Sequence, residues 1–323
     1  MNQLPADVQK LVQAVFGVTI VSSDSMPIGD YSKVFKVIDD SGNCYILKQH
    51  SELNLSSNLA LKFLSEVQFK WMPKQYVSSN GNVWEPCNQS FVSLQDFIDT
   101  EEPLRWDSVV SDDVYEDMGK LLYDLHCLVL PEPLKMAMAR ETYIPRHLDD
   151  WRMTIEKLSQ IDSDHINRRL KKNIDNEKQK ITELVDRSLD LGRRLNNEHR
   201  DLVLVHGDFH LGNIVKPQSD HIYLIDWDWP LLSFPENDMM MFTDLKEIVK
   251  IKKGYADKNF PNPVAHAYYR LGKTIRGLWF HAKRASDESY SSTKRMEFLG
   301  NFEKMLEKDG EVDRSLNFSE SVK

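Results

Sequence analysis

The stretch that most constrains this chain is Leu202–Asp228, which reads LVLVHGDFHLGNIVKPQSDHIYLIDWD. Two short apolar runs, Leu202–Val205 and Ile222–Ile225, each have the length of a strand, and they bracket a polar segment that holds His206, Asp208 and Asn213. Asp226 follows the second run directly. Lys216–Asp220 has the composition of a turn joining two strands. The pattern thus predicts a polar loop with a carboxylate and an amide, and a second carboxylate at a neighbouring strand end.

Phosphoryl transfer needs those parts. One carboxylate sits beside the attacking hydroxyl, an amide oxygen reaches a divalent metal, and a second carboxylate holds the metal that bridges the nucleotide phosphates. Asp208, Asn213 and Asp226 supply them. Protein kinases order the same groups as His-Arg-Asp, four residues, Asn, then an Asp that opens the next turn. Here the order is His206-Gly207-Asp208, Asn213 after four residues, and then Ile225-Asp226-Trp227-Asp228.

The segment closely resembles the aminoglycoside phosphotransferase and choline kinase-like superfamily, whose hallmark is His-Gly-Asp-x-x-x-x-Asn followed by Ile-Asp-aromatic. Its continuation through Pro230, Pro235 and Asp238 to the run Met239–Phe242 looks most like the spectinomycin phosphotransferase branch. The specific part of the resemblance is Val205 to Phe242. It implies a two-lobed, protein-kinase-like α+β fold, with a small antiparallel-sheet lobe and a larger, mostly helical one. Two departures from protein kinases are informative. The kinase Arg that receives an activation-loop phosphate is Gly207, so a switch of that kind has lost its receptor. Only eleven residues separate Asp226 from Asp238, which leaves no long segment for docking a protein, so a small-molecule acceptor is expected.

Composition narrows the classes further. The chain has 323 residues, of which 41% are hydrophobic and 28% charged, as in an ordinary globular protein with room for two lobes. No stretch approaches the roughly 18 consecutive apolar residues of a membrane span, and the first residues, Met-Asn-Gln-Leu-Pro-Ala-Asp, do not read as a leader. A cytoplasmic location without a membrane partner is therefore expected. A net charge of −9 disfavours nucleic acid as partner and suits a cationic substrate. Cys44, Cys87 and Cys127 show no paired spacing, and are expected to be reduced and mostly in the core.

Taken in order, Pro5–Phe16 reads as an amphipathic helix ended by Gly17, and Val18–Val21, Val34–Ile38 and Cys44–Lys48 as strands, the last two joined by a turn at Asp39–Asn43. The turn from Met26 to Ser32, with Gly29 and Ser32, is where a loop would cover phosphates. Lys48 matches the kinase third-strand lysine that holds the α- and β-phosphates. The following helix, Leu53–Leu64, carries Ser56, Ser57 and Asn58 where a kinase has the acidic partner of that lysine, which leaves Glu52 as the candidate. Val77–Trp84 reads as a turn entering a strand, and Ser90–Leu94 as another strand. Gln95 and Phe97 fall in the linker where a kinase-like fold binds adenine, which places a lobe boundary near Asp99, giving lobes 1–99 and 100–323.

In the second part, Asp113–Val129 reads as a helix with a capping-box pair at Asp113 and Glu116 and a structural His126. Trp151–Leu158 and Ile166–Leu195 read as surface helices laced with mixed charge, and Met239–Phe242 as the buried start of a helix. Val264–Ala285 and Arg295–Leu306 are expected as closing helices, and Asp309–Lys323 as a loose polar tail. Asp238 either braces the catalytic loop, as the resemblance implies, or caps the helix after it.

The expected function is ATP-dependent phosphorylation of a small-molecule hydroxyl with Mg²⁺. The resemblance points to an aminoglycoside or aminocyclitol such as spectinomycin, while choline, homoserine, a methylthio-sugar or a macrolide share the same catalytic loop over different pockets. Asp208 is expected to orient the acceptor and take its proton, and Asn213 and Asp226 to hold Mg²⁺. His206 braces the loop, and Asp228 supports the site or meets the substrate. Two other classes fit part of the pattern. In a metal-dependent phosphoesterase, built on His206, Asp208, His210 and Asp226, Asn213 and Lys48 would have no role. An ATP-binding regulatory pseudokinase would fit the thin glycine loop and the absent helix acid.

Overall fold

The computed structural model describes residues 4–26, 32–100, 104–105, 108–160, 164–217 and 221–322. Gly29 lies outside them, so the expectation placed on it does too. The chain divides into two compact units, the first formed by 1–139, 204–232 and 249–256, the second by 140–203, 233–248 and 257–323. The boundary expected near Asp99 falls inside the first unit.

In the first unit, α1 (Ala6–Phe16) buries Val8 and Val12 and stops at Gly17, whose φ of 70° is the left-handed conformation that suits a residue without Cβ. Five strands follow: β1 (Ile20–Met26), β2 (Ser32–Asp39), β3 (Cys44–His50), β4 (Glu85–Cys87) and β5 (Ser90–Asp96). They form one antiparallel sheet in the order β1-β2-β3-β5-β4. The β2–β3 turn closes because Asp39 Oδ1 accepts from the amides of Ser41 and Asn43, at 3.0 and 2.7 Å. Alternation sets what each face does. Phe35, Val37, Tyr45 and Leu47 join Val8 and Val12 in an apolar core, so Lys48, next to Leu47, projects from the opposite face.

The helix α2 (Leu55–Glu66) lies between β3 and β4 in sequence, capped by Asn54. The helix α3 (Asp112–His126) is shorter than expected. Leu128 and Val129 fall beyond its end and Val129 is 89% exposed. No capping box forms either. Asp113 and Glu116 instead pair with Lys216 and Lys253, at 2.9 and 3.2 Å. The unit also holds α4 (Glu132–Ala137) and four short strands, β6 (Val203–Val205), β7 (Ile214–Val215), β8 (Tyr223–Leu224) and β9 (Leu231–Ser233), of which β6 pairs with β9 and β7 with β8. His126 is packed, within 3.1 Å of the Tyr255 hydroxyl.

The second unit is helical: α5 (Leu148–Gln160), α6 (His165–Asn176), α7 (Lys178–Asn196), α8 (Leu245–Gly254, whose last residues belong to the first unit), α9 (Pro263–Ser286), α10 (Ser292–Leu306) and α11 (Glu311–Glu320). The long α9 runs through its core, packed by α5, α6, α7, α10 and α11. Two expectations are corrected. The segment after Asp309 is not a loose tail: α11 buries Val312 and Leu316 in that core, and its Ser315 lies 2.8 Å from Thr274 Oγ1. Met239–Phe242 is not a helix start, because Pro235–Met239 forms a 3-10 turn and α8 begins only at Leu245. Cys127 is exposed, Cys44 half-buried and only Cys87 buried, so the cysteines are free but not mostly core. No helix of the described residues is long and apolar enough to cross a membrane. The α+β class, with a small antiparallel sheet and a larger helical part, is as expected.

Candidate active site

β6 delivers the chain into His206, which is wholly buried. Its Nε2 donates to Ile225 O at 3.0 Å and its ring stands edge-on to Trp227 at 4.8 Å. Gly207 then turns with φ 78°, and a Cβ built there would lie 2.2 Å from Trp229 O. No other residue fits this path, which is a steric reason for glycine where protein kinases carry Arg. Asp208 follows, partly exposed, with its Oδ2 3.6 Å from His210 Nε2. The short 3-10 turn Leu211–Asn213 then folds Asn213 back, and its Nδ2 donates to Asp208 O at 2.8 Å. The side-chain oxygen of Asn213 is thereby left as its acceptor.

The second carboxylate enters from β8. Ile225 N donates to Asn213 O at 2.9 Å, which ties the strand end to the loop, and Asp226 follows in the left-handed region with φ 67°. Lys48 Nζ meets Asp226 Oδ1 at 2.5 Å, with the lysine side chain 13% exposed. Burial alone would lower the Lys48 pKa, but the charges of Asp226 and Asp228 and the hydrogen bond raise it above its ordinary value. Asp226 is held below the usual carboxylate range, because Lys48 outweighs burial. Asp228 is pushed up to about 6, first by burial and then by Asp226 and Asp208, against the pull of Lys48.

The structure therefore brings together Lys48, His206, Asp208, Asn213, Asp226 and Asp228. Of the other expected residues, Ser32 on β2 and Gln95 on β5 stand on the sheet face of Lys48, since their partners His50 and Ile46 each lie two residues from it on β3. Glu52 is exposed in the segment before α2, and the carboxylate beside Lys48 is Asp226 rather than Glu52. The Phe97 amide donates to Cys44 O at 3.2 Å, so that N–H is occupied by the sheet, while Lys36 stands 3.9 Å over the Phe97 ring. Asp238 is fully buried inside the 3-10 turn of the second unit, well before α8, so it does not cap that helix. Two residues to which the sequence assigned no role in the site, Ser57 at the place of the kinase helix acid and Asn54 before the helix, also reach it. Ser57 Oγ donates to Trp227 O at 2.5 Å and Asn54 Nδ2 to Asp228 O at 2.7 Å. Their only signal was polarity on the buried face of α2.

The donors suit a hard divalent cation. Asp226 and Asn213 offer oxygen, while burial first, and then the charges of Asp226 and Asp208, make Asp228 resist ionisation. Among the described residues no group of three or more His, Cys, Asp or Glu side chains could hold a metal ion.

A phosphotransferase enzyme family model matches residues 27–251. Among solved structures, spectinomycin phosphotransferase APH(9)-Ia in complex with ADP and spectinomycin superposes with a TM-score of 0.81 at 19% identity, covering 98% of this chain and 99% of that one. Amicoumacin kinase hAmiN, in complex with AMP-PNP and Ca²⁺, gives 0.61 at 16% identity over 93% and 92%. The gentamicin complex of APH(2")-IIa gives 0.62 at 15% identity over 97% and 99%. The shared fold is thus the protein-kinase-like one. Comparison with curated protein sequences gives no match.

Proposed function

The chain belongs to the phosphotransferase enzyme family, and from that premise we propose that it moves the γ-phosphoryl group of ATP to a hydroxyl of a small cationic molecule, an aminoglycoside or aminocyclitol such as spectinomycin. The observation that carries the reading is the contact of Lys48 with Asp226 beside the Asp208–Asn213 loop, which groups a phosphate-binding cation, an oxygen donor and a base.

In this mechanism Asp208 accepts a hydrogen bond from the acceptor hydroxyl and takes its proton as the oxygen attacks the γ-phosphorus. The bond from that phosphorus to the bridging oxygen breaks, and ADP leaves with the electron pair. Lys48 binds the α- and β-phosphates. Asn213 and Asp226 would hold Mg²⁺, which would neutralise charge on the nucleotide phosphates. His206 and Gly207 hold Asp208 in place through the backbone. The substrate class is supported by the likeness to spectinomycin phosphotransferase over nearly the whole chain and by the net charge of −9.

The test is Mg²⁺-dependent ADP release from ATP with spectinomycin, several aminoglycosides, choline, homoserine, a methylthio-sugar and a macrolide. Stimulation by spectinomycin or an aminoglycoside is expected, and Asp208→Asn should lower turnover by roughly 10²–10⁴-fold. Stimulation by another acceptor alone would overturn the substrate class, and undiminished turnover in Asp208→Asn the mechanism.

A further inference from the structure

Five consecutive backbone carbonyls, Leu224 to Asp228, each accept a hydrogen bond. In order the donors are Trp227 Nε1 at 3.2 Å, His206 Nε2 at 3.0 Å, Asp228 N at 2.9 Å, Ser57 Oγ at 2.5 Å and Asn54 Nδ2 at 2.7 Å. The first three arise within the loop and its neighbouring strand. The last two come from the first turn of α2, more than 160 residues away in sequence. Asp226 stands in the middle of this run, in a left-handed conformation that an L-residue keeps only when its neighbours are fixed on both sides. Ile225 is fixed by His206. Trp227 and Asp228 are fixed by α2.

A kinase helix at this place carries an acid that pairs with the strand lysine and so sets the lysine's position. Here α2 has Ser57, wholly buried, and Asn54 facing the loop, and the lysine pairs with Asp226. Asn54 uses both ends of its amide, since Oδ1 caps α2 by accepting from Ser57 N at 3.2 Å while Nδ2 holds Asp228 O. We propose that Asn54 and Ser57 are positioning residues for phosphoryl transfer, fixing the backbone after Asp226 so that the Asp226 carboxylate itself sets the place of Lys48. This rests on the phosphotransfer reading of the site. The helix acts on the lysine indirectly, through the metal-binding carboxylate.

The asymmetry of the Asn54 amide separates this role from simple helix capping. Asp caps a helix as well as Asn does. Asn54→Asp therefore keeps the cap but loses the donor and sets a carboxylate against Asp228 O, whereas Asn54→Ala loses both. Ser57→Ala removes the other donor.

The experiment measures ADP affinity by calorimetry with Mg²⁺ and with EDTA, together with melting temperature and, for ATP and acceptor, kcat and KM. With Mg²⁺, Asn54→Asp and Ser57→Ala should each weaken ADP binding by roughly 10-fold and lower kcat by a similar factor, the range found when groups that orient metal ligands are removed. Affinity in EDTA, which reads Lys48 without the metal, should fall by a smaller factor, and the KM for acceptor should stay at the wild-type level. Asn54→Asp should melt close to the wild type, and below it only for Asn54→Ala. An Asn54→Asp protein with wild-type Mg²⁺-dependent affinity and kcat would overturn the inference alone. A wild type whose ADP binding ignores Mg²⁺ would overturn the phosphotransfer reading and the inference with it.

Discussion

Gly207→Ala should damage the site out of proportion to its one added methyl group. Two separate effects act at this position. The first is conformational: φ is 78°, and an L-residue held in the left-handed region costs about 1–2 kcal/mol. The second is steric, since the new Cβ would lie 2.2 Å from Trp229 O and 3.1 Å from Leu231 Cδ2. Backbone cannot rotate out of the way as a side-chain tip can. The His206–Asp208 loop and the segment after Asp228 must therefore part by roughly 1 Å to reach an ordinary carbon–oxygen contact. A displacement of that size at a reacting group lowers turnover by about 10²-fold.

Gly17→Ala is the control that isolates the first effect. Gly17 also has a left-handed φ, 70°, but nothing lies within 4 Å of the Cβ position, and it ends α1 far from the loop in sequence. It should lose about 1 kcal/mol of stability with unchanged kcat. Gly207→Ala should lose that and about 2 kcal/mol more, within the range for overpacking. The assay is urea denaturation with steady-state kinetics on both variants. If Gly207→Ala matched Gly17→Ala in midpoint and kept kcat within threefold of wild type, the packing of the catalytic loop described here would be wrong.

Further expectations concern stability. His266 is buried, with Nε2 donating to Met239 O and Phe242 O at 2.9 and 3.0 Å, and burial holds its pKa at about 4. The folded state therefore keeps it neutral while the unfolded state takes up a proton below 6.5, so its contribution is complete above pH 6.5 and declines as pH falls toward 4, by about 3 kcal/mol in all. Melting curves from pH 7 to 4 should show a shallower decline in His266→Gln; an identical slope would remove His266 from the account. Gly119→Ala would place a Cβ 2.0 Å from Ile251 O, and should lower the urea midpoint by the equivalent of about 2–3 kcal/mol, whereas a neutral result would mean the helices there are not in contact. Leu316→Ala should destabilise by roughly 2 kcal/mol because α11 is part of the core, while a loose tail would leave the midpoint unchanged.

What the sequence made legible is what lies close together along it. His206, Asp208, Asn213 and Asp226 fall within one short span, and their chemistry needs a spacing that the span itself supplies. Lys48 was placed by its position at the end of a third strand, which alternation and the turn at Asp39–Asn43 mark out. The contacts missed join distant residues. No local pattern says that Ser57 and Asn54 will face carbonyls at Trp227 and Asp228, since a serine on a helix reads equally as a solvated one. The same limit explains α11, whose apolar residues, Val312, Leu316 and Phe318, are too few to stand out until α9 is there to cover them. It also explains Met239–Phe242, an apolar run that reads as helix although Pro235 favours a tighter turn before it.

The absent helix acid, which by sequence alone weighed toward a regulator without activity, is better understood through charge. An acid on α2 would add a third carboxylate to the two, Asp226 and Asp228, whose charges already act on Lys48, where Asp228 is held up to about 6. Each further negative charge at such a site favours protonation of the others. Neutral donors on α2 avoid this. Ser57 and Asn54 hold the turn through carbonyls and leave the Asp226 carboxylate with its charge intact. Because the turn is fixed by its backbone, the Asp226 side chain can give up Lys48 to a phosphate without the loop losing its shape. A polar, uncharged first turn of α2 is therefore compatible with an active phosphotransferase, and the missing acid is no evidence against turnover.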